Sequence, residues 1–385
     1  MNADPLTADP IELLRRRTST KWASYPDDVL PLFVAEMDYP IAPAIAAHLG
    51  DLIARSDLGY DSRRLALGEA FAGFARDRWD WDLDPAAVRA TNNVMTAITE
   101  LLRGAIEPGD RVLINSPVYP PFREAIAEVG GALVDAPLLE HAPEHWELDL
   151  DAIEAAFRGG VRAYLLCSPH NPIGIVHPRE QLVRIAELAA EHGVLVLSDE
   201  IHAALSHSDT EFVPFLAVSD AAREIGVAVT SGTKAFNVAG LTAAWWVPGS
   251  KAAAERIAGV APSVIHRVSH IGVHAATAGF TSARDWVDAA VATLELQRGR
   301  LRTLLDDRLP RAVLHEPRAS YLAWIDLREY GWGDDPARRI LRDARVALSF
   351  GPSFGEQGKG FARLNYACSP EVLTEAIDRI AAIAD

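Results

Sequence analysis

Lysine is nearly missing from this 385-residue chain. Only Lys21, Lys234, Lys251 and Lys359 occur among its 37 basic residues. A chemistry that needs a side-chain amine therefore has few candidates. Basic residues are also outnumbered by 53 acidic ones, leaving a net charge of −16. That balance argues against a nucleic-acid partner, whose phosphates call for a basic surface. The two cysteines, Cys167 and Cys368, make neither a disulfide framework nor a zinc motif. They point to a reducing, cytoplasmic setting. No apolar run is long enough to cross a bilayer, so no membrane partner is expected. The first twenty-odd residues lack the apolar centre of a signal peptide.

What the chain does have is an ordinary globular mix, 49% hydrophobic and 23% charged, enough for one large domain and a smaller one. Its middle alternates strand-like and helix-like pieces. Residues 111–115, 163–167, 194–200 and 226–232 are short apolar runs that end in polar residues. Strands buried on both faces read this way, and they predict a mostly parallel sheet. Residues 241–249 read as one more strand, stopped by Pro-Gly. In residues 178–193, Leu182, Ile185, Ala186 and Ala189 repeat at helical spacing, with Pro178 at the start and Gly193 at the end. The expected fold is α/β, a mostly parallel central sheet with helices on both faces, plus a smaller α+β domain. The large domain is expected at 40–265. The small domain would combine 1–39 with 266–385, including a long helix over 285–307.

Ligands of open α/β sheets bind beyond the carboxyl ends of the strands. Here those ends carry Asn171, Asp199, Ser231 and Lys234. Taken singly, each has an ordinary reading. "NPIG" is a common turn, Asp199 can cap a helix, and Lys234 can be a loop lysine. Together, an amine, a carboxylate and an amide fit pyridoxal 5′-phosphate. That cofactor needs a lysine amine, an acid against its ring nitrogen and a donor to its phenolic oxygen.

"SPHNPIG", "VLSDEIH" and "SGTKAFNVAGL", in this order, resemble the fold-type I pyridoxal-phosphate enzymes of the class I/II aminotransferase superfamily. "FVAEMDYPIAPAI", "LGYDS", "SPVYPPF", "ASYLAWIDL" and "FARLNYACS" extend the likeness over most of the chain. They resemble the MalY/PatB branch of cystathionine β-lyases, or C–S lyases. The resemblance implies that Lys234 is the Schiff-base lysine and the base at Cα. Asp199 would bind the ring nitrogen, Asn171 the phenolic oxygen, and Tyr119 would stack on the ring. Ser231 and backbone N–H groups near Asn93, Val94 and Met95 would hold the phosphate. His202 would help position the cofactor, and Arg363 would clamp the substrate carboxylate. Tyr60 would reach the phosphate of a neighbouring subunit, making a homodimer with shared sites.

Two positions depart from the family pattern. Asn93 stands where a small residue is usual in the phosphate loop. Thr242, eight residues after Lys234, stands where many aminotransferases carry an arginine. Separately, His266, His270 and His274 would line up on a helix, but no acid or cysteine nearby completes a metal set, and no metal is expected. The branch resemblance implies β-elimination from cystathionine, cysteine or an S-substituted cysteine, giving a thiol, pyruvate and ammonia. An amino-acid aminotransferase would share every cofactor contact. A regulatory protein keeping the fold would be expected to carry an additional DNA-binding domain, for which the residues before "FVAEMDYP" leave no room.

Overall fold

The computed structural model describes residues 4–384 apart from 63 and 143. Seven strands form the main sheet. They are β1 (Arg89–Thr91), β2 (Arg111–Ile114), β3 (Ala132–Asp135), β4 (Val161–Cys167), β5 (Leu195–Asp199), β6 (Gly226–Thr230) and β7 (Ala244–Pro248). Their order is β1-β7-β6-β5-β4-β2-β3. Only β7 runs against the rest. The mostly parallel sheet is therefore as expected. The edge strands β1 and β3 went unread in the sequence.

Alternation along the strands explains the two-sided burial. Ala163, Leu165 and Cys167 of β4 face one side, where helices Val94–Ala105 and Pro121–Glu128 cover them with Ile98, Leu101, Phe122 and Ile126. Tyr164 and Leu166 face the other side, packing with Phe157, Leu182 and Ile185 from helices Leu150–Arg158 and Arg179–His192. Gly193 ends the latter helix in the left-handed region at φ 67°, where glycine carries no Cβ penalty.

A second, antiparallel sheet joins β8 (Val313–His315), β9 (Leu322–Asp326), β10 (Ser349–Phe350) and β11 (Phe361–Asn365) in the order β8-β9-β11-β10. Helices Arg284–Arg308 and Pro370–Ala381 pack together beside it. The N-terminal segment joins this part, since Leu30–Pro31 pairs with Val346–Ala347. The helix His270–Ser282 lies just past residue 265. It packs on helices Pro43–Ala54 and Arg64–Trp79, and its Phe280 joins Phe71 and Trp245 of the large part. The apolar face of that helix is what decides its side.

Candidate active site

The register of the main sheet sets the site. Cys167 at the end of β4 pairs with Asp199 at the end of β5, and Asp199 pairs with Val229 near the end of β6. The polar residues that follow these ends thus meet along one edge. Asp199 is buried and accepts the Ile201 N–H at 3.1 Å. Burial pushes its carboxyl up to about 7, opposed by that N–H and by the Lys234 charge.

Lys234 lies in the short helix Gly232–Ala235 after β6. Its Nζ donates to the Ala35 carbonyl at 2.6 Å. Burial and the nearby Arg363 charge lower its pKa to about 8, against the opposing pull of Glu36 and Asp199. The amine is therefore poised to lose its proton near neutral pH.

Arg363, on β11, comes from the second sheet. Its Nη1 donates to Asn171 Oδ1 at 2.8 Å, and its Nη2 donates to the Phe33 carbonyl and to Ser349 Oγ, each at 3.0 Å. All three acceptors are neutral. Among the described residues no carboxylate pairs with this buried guanidinium, and its Nε has no acceptor. Burial lowers its pKa to about 10. A buried cation without an anion is costly, and an incoming carboxylate is what would relieve it.

Tyr119 follows β2 and is half-buried. Burial raises its hydroxyl pKa, and the charges that act on it include Arg363 and Asp199. His202 is buried, and its Nδ1 has no partner. Burial, then Lys234 and Arg363, lower its pKa to about 3, so it is neutral. Its ring meets Tyr321 edge-on at 6.3 Å.

Helix Val94–Ala105 presents the first N–H groups of Val94 and Met95, unpaired within the helix as at any N-terminus. Asn93 is its cap. The Asn93 Oδ1 accepts the Thr96 N–H at 2.8 Å, so this side chain is committed to the helix. Ser231 likewise caps the lysine helix, accepting the Thr233 N–H at 3.0 Å and donating to the Ala243 carbonyl at 2.6 Å. Thr242 sits in the left-handed region at φ 48°. Tyr60 stands apart, fully exposed in the single chain. His266 lies in a separate 3-10 turn, Pro262–Arg267, so the three histidines do not make one helical stripe.

The segment Phe33–Tyr39, read in the sequence only as part of a family likeness, lies over Lys234 and Arg363, whose donors its Ala35 and Phe33 carbonyls accept. Asn237 binds its backbone: Nδ2 donates to the Met37 and Tyr39 carbonyls at 2.9 and 3.2 Å, and Oδ1 accepts the Met37 N–H at 2.9 Å. From the second sheet, Asn365 Nδ2 donates to the Val34 and Glu36 carbonyls, both at 2.7 Å. Asn237 has φ 56°, in the left-handed region that asparagine tolerates. The asparagines in "TKAFN" and "FARLN" were the available signal.

Residues 27–380 match the family described as aminotransferase class I and II. A Mycobacterium tuberculosis protein, provisionally named cystathionine beta-lyase, is 41% identical over 99% of this chain and 98% of its own length. Cystathionine beta-lyase PatB of Bacillus subtilis is 32% identical over 92% of both chains. Among solved structures, cystalysin from Treponema denticola, which contains a pyridoxal 5′-phosphate cofactor, superposes with a TM-score of 0.91. It covers 99% of this chain and 98% of its own at 24% identity. That likeness concerns the fold.

Proposed function

This chain belongs to the aminotransferase class I and II family, and on that premise we propose that it is a pyridoxal-phosphate-dependent carbon–sulfur β-lyase. It would cleave cystathionine, cysteine or an S-substituted cysteine to a thiol, pyruvate and ammonia. The observation that carries an amino-acid substrate is Arg363, a buried guanidinium facing only neutral acceptors. Its planar fork suits a substrate α-carboxylate. The choice of elimination over amino transfer is supported by the two full-length relatives.

The residues present fit the cofactor. Asp199 is a buried carboxylate whose raised pKa marks the want of a cationic partner, which a protonated ring nitrogen would be. When bound, the cofactor supplies a ring that takes up the electron pair left as the Cα–H bond breaks. Lys234 is the residue we assign to hold the aldehyde and then to move the Cα proton. Its lowered pKa keeps a useful share of the amine neutral. Asn171 is assigned to the phenolic oxygen and Tyr119 to the ring face. His202 lies nearby as a neutral positioning residue. For the phosphate we assign the Val94 and Met95 N–H groups, the Ser231 hydroxyl and the loop at Asn93. Thr242 offers no guanidinium, so hydroxyl and N–H donors carry that task. Tyr60, exposed in one chain, is assigned to the site of a second copy, giving a homodimer with shared sites. The setting is cytoplasmic in this reading. Among the described residues no helix is long and apolar enough to cross a membrane.

The test is product formation from an S-substituted cysteine with and without an added keto acid. Pyruvate released in step with thiol, with no keto acid present, is expected. A requirement for keto acid would replace the lyase by an aminotransferase.

A further inference from the structure

A β-hairpin away from the active site brings three possible metal ligands together. Leu139–Ala142 pairs antiparallel with His145–Glu147, with Leu139 opposite Glu147, Glu140 opposite Trp146 and Ala142 opposite His145. The pairing shifts by one residue between Glu140 and Ala142, so His141 and Ala142 both stand opposite His145, and His141, His145 and Glu147 come together on one face. The opposite face is anchored inward. Trp146 is buried, with its ring edge-on to Phe361 at 5.8 Å, and Glu140 pairs with Arg328.

The outward face holds the donors. One ligand atom from each of His141, His145 and Glu147 lies within 4.8 Å of the others, and no other such group occurs among the described residues. His141 Nε2 is 2.6 Å from Glu147 Oε1, and the two imidazole centroids are 5.3 Å apart. In a tetrahedral site with bonds of about 2.0–2.2 Å, ligand atoms stand roughly 3.3–3.5 Å apart. Side-chain rotation on the exposed face covers that difference. Glu147 is also oriented from behind: its Oε2 accepts the Gln181 side-chain N–H at 3.3 Å from the helix Arg179–His192. An outer hydrogen bond of this kind holds a carboxylate ligand in place.

We propose that His141, His145 and Glu147 bind one divalent transition-metal cation of the zinc class on the exposed face of this hairpin. Two imidazoles and one carboxylate select zinc, cobalt, nickel or copper over magnesium and calcium. Three protein ligands leave the fourth position open to solvent. The net charge of −16 favours the approach of a cation. Both cysteines are buried and do not compete. The site is independent of the lyase reading, since none of its residues belongs to the cofactor set.

The test titrates the holoenzyme with Zn2+ by calorimetry, and with Co2+ while following visible absorption. One equivalent of Zn2+ per chain is expected, together with saturable cobalt bands in the visible. Binding should weaken at least about tenfold in each of His141→Ala, His145→Ala and Glu147→Gln, as expected when one ligand of three is lost. Zn2+ should also raise the melting temperature of the wild type, and raise it less at the same concentration in His141→Ala. No stoichiometric binding in the wild type overturns the proposal. So does unchanged affinity in any one of the three variants.

Discussion

Arg363→Lys separates a carboxylate clamp from a merely structural cation. The substitution keeps the positive charge and much of the length. It removes the planar fork that holds Asn171 with one nitrogen and Phe33 and Ser349 with the other. A substrate carboxylate would take two parallel N–H donors from arginine and one from lysine. Losing one hydrogen bond to a charged group costs about 1.5–3 kcal/mol, which is about 10- to 150-fold in kcat/KM. The clamp forms in the ground state and persists, so the loss should appear chiefly in KM. The assay couples pyruvate release to a dehydrogenase, using an S-substituted cysteine and its carboxamide. The carboxamide offers no carboxylate, so wild type and variant should treat it nearly alike. The cofactor absorption of the variant should match that of the wild type. A kcat/KM within about threefold of the wild type on the acid, or an equal loss on acid and carboxamide, would refute the assignment.

Lys21 and Asp38 form an ion pair at 2.9 Å with both side chains wholly buried. Lys21→Met strands the acid and should lower the urea unfolding free energy by about 3–5 kcal/mol, with Lys21→Met/Asp38→Asn recovering most of the loss. Asp199 is held at about 7, against an ordinary value of 3.8. A carboxyl raised in the folded state contributes fully below about pH 4, and that contribution is lost as pH rises to about 7. Freed of cofactor, Asp199→Asn should therefore match the wild type near pH 4 in urea titrations and exceed it by up to about 4 kcal/mol at pH 8. In the cofactor-free protein, the rate of pyridoxal phosphate uptake should rise with pH through about 8, as Lys234 loses its proton. Tyr60→Phe should weaken cofactor binding about tenfold, the worth of one hydrogen bond to a charged group, without changing a sedimentation-measured dimer. Unchanged cofactor affinity would remove Tyr60 from the site.

The sheet was legible because β4 from Ala163, β5 and β6 are short apolar runs, and such runs suit strands covered on both faces. The edge strand β1 has only three residues, Arg-Ala-Thr, and gives no pattern to read. The packing of His270–Ser282 was hidden for another reason. Its sequence fits a helix anywhere, and only the partners Pro43–Ala54 and Arg64–Trp79 decide which layer it joins. At the proposed site, Asp199 and Lys234 stood out because they lie at or just after strand ends, whereas Arg363, in mid-strand, was marked only by the likeness of its motif. Asn93 and Ser231 have a second part that a motif does not display. In the structure their side chains cap helices, as asparagine and serine commonly do, and a motif alone does not reveal which hydrogen bond prevails.

The roof over the site was illegible because its part is played by carbonyls. Phe33 and Ala35 offer backbone oxygens to Arg363 and Lys234, and any residue type could do so. Yet those oxygens explain how the site tolerates its own charges. Asp199 and Arg363 are buried and Lys234 is half-buried, and the loss of solvent shifts each toward its neutral form. Stronger permanent partners would have restored ordinary pKa values and left the groups unreactive. Neutral carbonyls satisfy donor geometry and add no opposing charge, so the amine keeps its lowered pKa and the guanidinium its need for an anion. Asn237 and Asn365 hold the roof from its two sides, gripping the backbone of Val34, Glu36, Met37 and Tyr39 between them. The carbonyl that accepts from Lys234 is thus held in place by two asparagines flanking it on either side.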